Sequence, residues 1–411
     1  MAIQTSLHRT RQQGFVRLAC IVTILLIALS ACEKKPATET ETIAEPTPVI
    51  DKTRINTATD HLWTAGQDIL SASVAGANQM NSAIDHFLAS PSAETLKTAQ
   101  QKWQEAFLAY RRFYFFYFLG QAAPSHFNSL VESHFRIAAH PIQPGYLDSF
   151  GQYLYSGLVH DIGMQISREN LIGQHGLTNS EDAVLGLYAI HFMLFGIDGD
   201  RASADYSVVK QLSRKDIEAG FKQVEETPNH RRRLLLQMQA NILLDDLTAL
   251  HNSWRSNEQN SLYFNWQALA PREKLNLVRQ TLKQGLTQLI VDVVELNKME
   301  EAVATDAQIS TEAEPAESAD TGEADTAEVA TEENDFSYSN YPATSQQQYV
   351  LLSIESLLDA VPVLRKEKRE QIEGLLQATS AMLAEPFDET QENSWTKVYQ
   401  NLKAAVDALS G

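Results

Sequence analysis

The run Ser180-Glu181-Asp182-Ala183-Val184-Leu185-Gly186-Leu187-Tyr188-Ala189-Ile190-His191-Phe192-Met193-Leu194-Phe195-Gly196 constrains this chain more than any other stretch. Past its first three residues it is almost wholly apolar, so as a helix most of its surface must be covered by other elements. Ser180 can cap the start, with Glu181 and Asp182 in the first turn, where the helix dipole favours negative charge. Gly196 can take the left-handed conformation that ends a helix. The spacing therefore predicts one buried helix over 180–196. Two polar side chains, Tyr188 and His191, interrupt it. They lie three residues apart and project from one face. A phenol and an imidazole aimed into a core are the candidate binding pair; the alternative is that they hydrogen-bond within a packed core, as buried polar groups must.

The remainder reads as helix from about Ile55 onward. Apolar residues recur at three- and four-residue spacing from His61 to Leu88, and Ser90-Pro91-Ser92 breaks the pattern. Ser92 and Glu94 can open the next helix, which runs from Leu96 to about Leu119. Its aromatic stripe, including Trp103, Phe107 and Tyr110, reads as core packing. Glycines and prolines break residues 120–150 into short pieces, where His126, His134 and His140 lack a ligand spacing and read as surface or capping residues. Arg231-Arg232-Arg233 opens a Leu-rich helix ending near Trp254; the charge run reads as a solvated helix start or as partners for acidic neighbours. An amphipathic helix covers Arg272 to Met299. Residues 300–334 hold no Lys or Arg and are rich in Glu, Asp, Ala and Thr, the composition of a disordered insertion. Two or three further helices follow, over Gln346 to about Leu364, Lys366 to Leu383 and Ser394 to Leu409. No strand pattern competes, so the fold class is all-α, built from helical bundles.

The residues Gly186 to Gly196 resemble the signature helix of the imelysin family, whose members are periplasmic or lipid-anchored helical proteins linked to iron uptake and also classed as M75 peptidases. The family pattern is Gly-x-His-x-x-Glu followed by an apolar run and Gly. Gly186 and Gly196 match; Tyr188 stands at the family's His and His191 at its Glu. The Trp103 helix, the helix from Arg231 to Trp254, and Phe336, Ser337 and Asn340 also resemble family segments. In the Trp103 helix, Phe107 stands where the family commonly has Arg, with Arg111 and Arg112 a turn later. The resemblance implies two packed helical bundles, with the acidic stretch inserted just before the second pattern. It also implies a metal site, which carried over residue by residue falls on Tyr188 and His191, with iron or another metal ion as the ligand.

The first residues read as targeting rather than fold. A basic start and the apolar run Leu18–Leu29 precede Leu29-Ser30-Ala31-Cys32, which looks like a lipobox. Cleavage there makes Cys32 the lipidated N-terminus and removes Cys20, leaving no free thiol for cysteine chemistry. With Glu33 next, the expected address is the periplasmic side of the outer membrane. The organisation expected is a signal peptide over 1–31, a tether over 32–55, the first part of an imelysin-like domain over 56–299, the insertion over 300–334, and C-terminal helices over 335–411. A formal net charge of −19 argues against nucleic acid, whose phosphates it would repel. The expected function is a non-catalytic binding protein associated with iron or metal uptake. The alternatives are an M75-type metallopeptidase, weakened because no His-Glu-x-x-His pattern occurs and the motif's His and Glu are replaced, and a structural lipoprotein with an unidentified protein partner.

Overall fold

Helix α1, Lys52–Ala89, sets the frame. Its buried positions include Ile55, Thr59, Leu62, Gly66, Leu70, Ser73, Ala77, Met80, Ile84 and Phe87, a nearly unbroken alternation of three- and four-residue steps that Trp63 and Leu88 widen. That spacing lays a single seam along the helix, the geometry of knobs-into-holes packing. The computed structural model describes residues 51–312, 343–384, 387 and 394–410, apart from 152, 198 and 200. The expected signal peptide, the lipidated Cys32, most of the tether, the insertion beyond residue 312 and the Phe336-Ser337-Asn340 segment lie outside these residues.

The other helices are α2 Ala93–Arg111, α3 Tyr114–Ala122, α4 Pro124–Ala138, α5 Pro144–Leu147, α6 Arg168–Gln174, α7 Leu187–Phe195, α8 Arg214–Glu218, α9 Pro228–Arg255, α10 Leu262–Ala268, α11 Pro271–Glu312, α12 Ala343–Leu358, α13 Lys366–Leu383 and α14 Ser394–Ser410. No strand occurs among the described residues; one isolated bridge joins Phe150 and Tyr153. The all-α class follows. Ser92 does open α2, through a capping box with Thr95. Helix α11 continues past Met299 to Glu312, into the stretch whose composition predicts disorder. Ala and Glu, frequent there, are good helix formers.

Two bundles share one core. In the first, α1 packs on α2 and α9, with α4 and α7 against α9; in the second, α11, α13 and α14 pack together, with α12 on α13. The corner between α2 and α3 ties them. Tyr114 donates to the Gly285 carbonyl on α11 at 3.0 Å, and the Phe115 amide donates to Ser356 Oγ on α12 at 3.0 Å. Within the first bundle Trp63 and Trp254 stack at 3.7 Å, and each indole N–H donates to the other's backbone carbonyl at 3.0 Å. A Cβ on Gly66 would meet Trp254 at 2.6 Å, so glycine is needed there for the stack to close.

Helix α7 is shorter than its apolar run predicts. It starts at Leu187, not Ser180, and Glu181 and Asp182 lie outside it. Gly186 explains the boundary: its φ of 94° and ψ of −177° fall in a region open essentially to glycine alone. A Cβ there would stand 2.7 Å from the Ile137 carbonyl oxygen. The Asn179 side chain accepts the amides of Glu181 and Asp182, making a turn where the helix start was expected. Gly196 ends α7 with positive φ of 75° but extended ψ of −166°, rather than in the left-handed helical well. Orphan carbonyls at this buried end are met by side chains. Gln100 donates to Leu194 at 2.9 Å, and the Tyr206 hydroxyl donates to Met193 at 2.5 Å.

The long irregular segment before α7 is fixed by the start of α9. Arg231 and Arg232 are buried rather than solvated. Arg231 donates to the carbonyls of Leu158, Val159, Asp161 and Met164 at 2.6–3.0 Å. Arg232 grips the fully buried Asp148 with two bonds, at 2.6 and 3.0 Å, and Arg201 and His160 face the same carboxylate. Burial alone would raise the Asp148 pKa. The His160 and Arg232 hydrogen bonds and the Arg232 and Arg201 charges outweigh it and hold the carboxyl well below the usual range. The folded state therefore keeps this charge to lower pH than the unfolded chain. Its stabilisation is complete above the unfolded value of about 4 and is lost as the pH falls below that. Asp148→Asn is expected to lower unfolding free energy by about 3–5 kcal/mol at pH 7. The gap to the unmutated protein should narrow at pH 3; urea denaturation at the two pH values measures both.

Candidate functional site

Where the bundles meet, a partly enclosed cavity of about 640 Å³ opens between α2, α3, α4, α7, α11 and α12. Its position follows from the corner at Arg111–Tyr114, which turns the chain from the first bundle toward the second. Aromatic side chains dominate the walls. Phe107 meets Tyr188 edge-on at 5.6 Å, and Tyr117 stacks on His134 at 3.8 Å. Tyr110 shares a 2.9 Å hydrogen bond with His134 Nδ1.

Among the described residues one cation lines this space. Arg111 lies over the Tyr349 ring at 3.3 Å and the Tyr114 ring at 4.2 Å, a cation held between two π-faces. Its Nε donates to Ser353 Oγ at 2.9 Å. Its Nη2 is buried and makes no hydrogen bond; the nearest charge is Asp292 Oδ2 at 3.6 Å. Asp292 in turn accepts from Gln288 at 3.0 Å. Burial raises the Asp292 pKa, against the opposing pull of Arg111 and Gln288. Exposed Glu295 and Gln288 stand at the rim, on the outer side of α11.

Tyr188 lines the cavity and is hydrogen-bonded to Tyr349. Burial pushes its phenol up to about 12, so it keeps its proton at neutral pH. His140 packs on its ring at 4.6 Å. His134 is pushed down to about 3 by burial and by the Arg111 charge, and is neutral. Among the described residues the site thus offers neutral phenols and imidazoles, one guanidinium and one buried carboxylate, with the exposed Glu295 at its rim.

His191 goes elsewhere. Its ring lies 4.5 Å from Trp103 and stacks on Phe195 at 4.4 Å, inside the first bundle and off the cavity lining. Burial pushes it down to about 3. Trp103 is itself fixed by donating to the Leu187 carbonyl at 2.8 Å. The two residues sequence pattern paired are therefore not brought into one site. His160 faces Asp148, while Asp161 and Glu181 sit on the irregular segment; none of the three lines the cavity. Asp292 and Tyr349 were not among the site residues expected from the sequence, and His134 and His140, expected as surface or capping residues, line the cavity. Asp292 carries a signal, a lone carboxylate within Leu289-Ile290-Val291-Asp292-Val293-Val294. The histidines carry none, because their place depends on how α4 meets α3.

The imelysin (peptidase M75) family model matches residues 66–411. The chain belongs to the imelysin family. A crystal structure described as an iron-regulated protein A precursor, from Parabacteroides distasonis, superposes with a TM-score of 0.51 at 10% identity. It covers 90% of this chain and 95% of its own, so the likeness is one of fold. No curated protein matches the sequence.

The family resemblance implies a metal on the signature helix, and the residues here do not fit a bare ion. Among the described residues no three His, Cys, Asp or Glu side chains group as a metal site would need. The Tyr188 phenol is protonated, His191 is enclosed by aromatic rings, and a guanidinium lines the cavity. In this imelysin the motif helix serves the cavity through Tyr188 and the core through His191.

The Arg111–Asp292 pair links α2 to α11, so each charge depends on the other. Asp292→Ala alone is expected to cost about 3–5 kcal/mol, because it leaves the guanidinium buried without a counter-charge. The double variant Arg111→Met/Asp292→Leu should cost less than the sum of its single changes. Urea unfolding of all variants measures the coupling; additive losses would show the pair is not coupled.

Proposed function

We propose that this imelysin is a non-catalytic binding protein of a bacterial envelope, lipid-anchored through Cys32 on the periplasmic side of the outer membrane, which works in iron-related uptake. The observation that carries the reading is the cavity between the bundles, largely pre-formed, apolar in its walls and with a few convergent polar groups, as ligand sites are. The division of the motif residues supports binding over peptidase chemistry. A zinc peptidase needs three protein ligands and a base beside the bound water, and Tyr188 and His191 stand apart. The superposed structure's description as iron-regulated supports the link to iron, which enters as cargo rather than as a resident cofactor. The order of basic start, apolar run and Leu29-Ser30-Ala31-Cys32 supports the anchor.

Incubated with an unfolded protein substrate, with and without chelator, the purified protein is expected to leave it intact. Chelator-sensitive cleavage would replace the binding reading with the peptidase one. Mass spectrometry of the protein from membranes should find acylated Cys32 at the N-terminus; an unprocessed chain would remove the anchor.

A further inference from the structure

We propose that the ligand of the cavity is an aromatic acid, its ring held among the aromatic walls and its carboxylate on Arg111. The inference rests on the binding reading and gives it a ligand class.

Arg111 decides the sign of charge. Tyr114 and Tyr349 cover its two faces, and Ser353 takes Nε. Nη2 is covered but makes no hydrogen bond, with its ion-pair partner Asp292 at 3.6 Å, and the Arg111 side chain, 13% exposed, lines the cavity, so a small shift of the guanidinium toward that space gives it a partner. A planar carboxylate suits a guanidinium edge. A cationic ligand is disfavoured: it would meet Arg111, which already holds the two ring faces nearest that charge. Tyr188, beside Tyr349, puts a phenol hydroxyl on the same lining, and a protonated phenol can donate to an oxygen anion. The rest of the space takes a ring. The exposed faces are aromatic, with Phe107, Tyr117 and His134 on three different elements. A volume of about 640 Å³ admits a one- or two-ring molecule with substituents. Aromatic acids with adjacent hydroxyls are also hard-oxygen chelators of Fe(III), so the class is compatible with iron as cargo.

A second anion beside Asp292 brings a charge cost. Asp292 is faced by Arg111 on α2, Tyr188 on α7, Tyr349 on α12, and Gln288 and Glu295 on its own helix. Of these only Arg111 is positive. Binding is balanced when Asp292 takes one proton from solvent, leaving Arg111 to the ligand. Affinity should therefore rise as pH falls.

The test uses the full chain and three probes of one shape: 4-fluorobenzoate, 4-fluorobenzamide and 4-fluorobenzylammonium, followed by fluorine NMR titration. The acid is expected to bind at least tenfold more tightly than the other two at pH 6, and to weaken toward pH 8. Asp292→Asn should tighten the acid severalfold and flatten its pH dependence; Arg111→Gln should abolish the preference for it. Equal binding of acid and amide would overturn the aromatic-acid inference while leaving the cavity as a binding site. A preference for the ammonium, or weaker acid binding by Asp292→Asn, would overturn it too. If none of the three binds, this inference falls and the binding reading loses its site. Should Arg111→Gln fail to fold, the comparison of the three probes on the unmutated protein still decides.

Discussion

A guanidinium buried where two helical bundles meet must be matched from several directions, and Arg111 is. Its charge faces Asp292 on α11, its edge bonds Ser353 on α12, and the rings of Tyr114 and Tyr349 cover its faces. These partners come from three helices. Fixing Arg111 therefore fixes how the α2–α3 corner seats against the second bundle, and with it the shape of the space beside it. The same requirement leaves the site asymmetric. One nitrogen of the guanidinium, Nη2, is covered and not hydrogen-bonded, while the side chain that carries it lines the cavity.

The signature helix is held by a different device. Helix α7 is almost wholly buried, so its ends must be satisfied by other elements rather than by water. Trp103, Gln100 and Tyr206 reach its carbonyls, and Gly186 lets its start approach the α4 backbone. A helix locked in this way presents each side chain to a fixed neighbour. Tyr188 is presented to the cavity and Tyr349. His191, one turn on, is presented to Trp103 and Phe195. The substitution of the family's His and Glu by Tyr and His thus separates two roles along one short helix: a neutral phenol for a ligand space, and an imidazole among aromatic rings.

Periodicity made the all-α fold and most helix positions legible in the sequence, because a core-facing seam such as that of α1 leaves a three- and four-residue rhythm. It failed at the start of α7, where a continuous apolar run concealed a backbone approach that only Gly186 permits. Of the two readings of the arginine run at α9, acidic partners hold, since Arg232 pairs with Asp148, and the solvated start does not, for a related reason. Charge on a sequence implies solvent, yet Arg231 and Arg232 are buried by the carbonyls and carboxylate of a segment far away in the chain. Part of the candidate site was visible in the same way: Tyr188 stood out as a polar interruption, whereas Arg111 entered only as a charge one turn after the place where the family commonly has Arg. His134, Asp292 and Tyr349 join them only through packing between elements whose mutual placement no local pattern encodes.

The ligand cavity at the bundle junction, with Arg111 as its charged contact, is the centre of this account. A crystal structure of the protein with 2,3-dihydroxybenzoate tests it most directly. The expected result is the ring between the Phe107 and Tyr117 walls and the carboxylate within hydrogen-bond distance of the Arg111 guanidinium. Arg111 closed onto Asp292 by two hydrogen bonds, with the space filled by side chains or the ligand seated elsewhere, would contradict it.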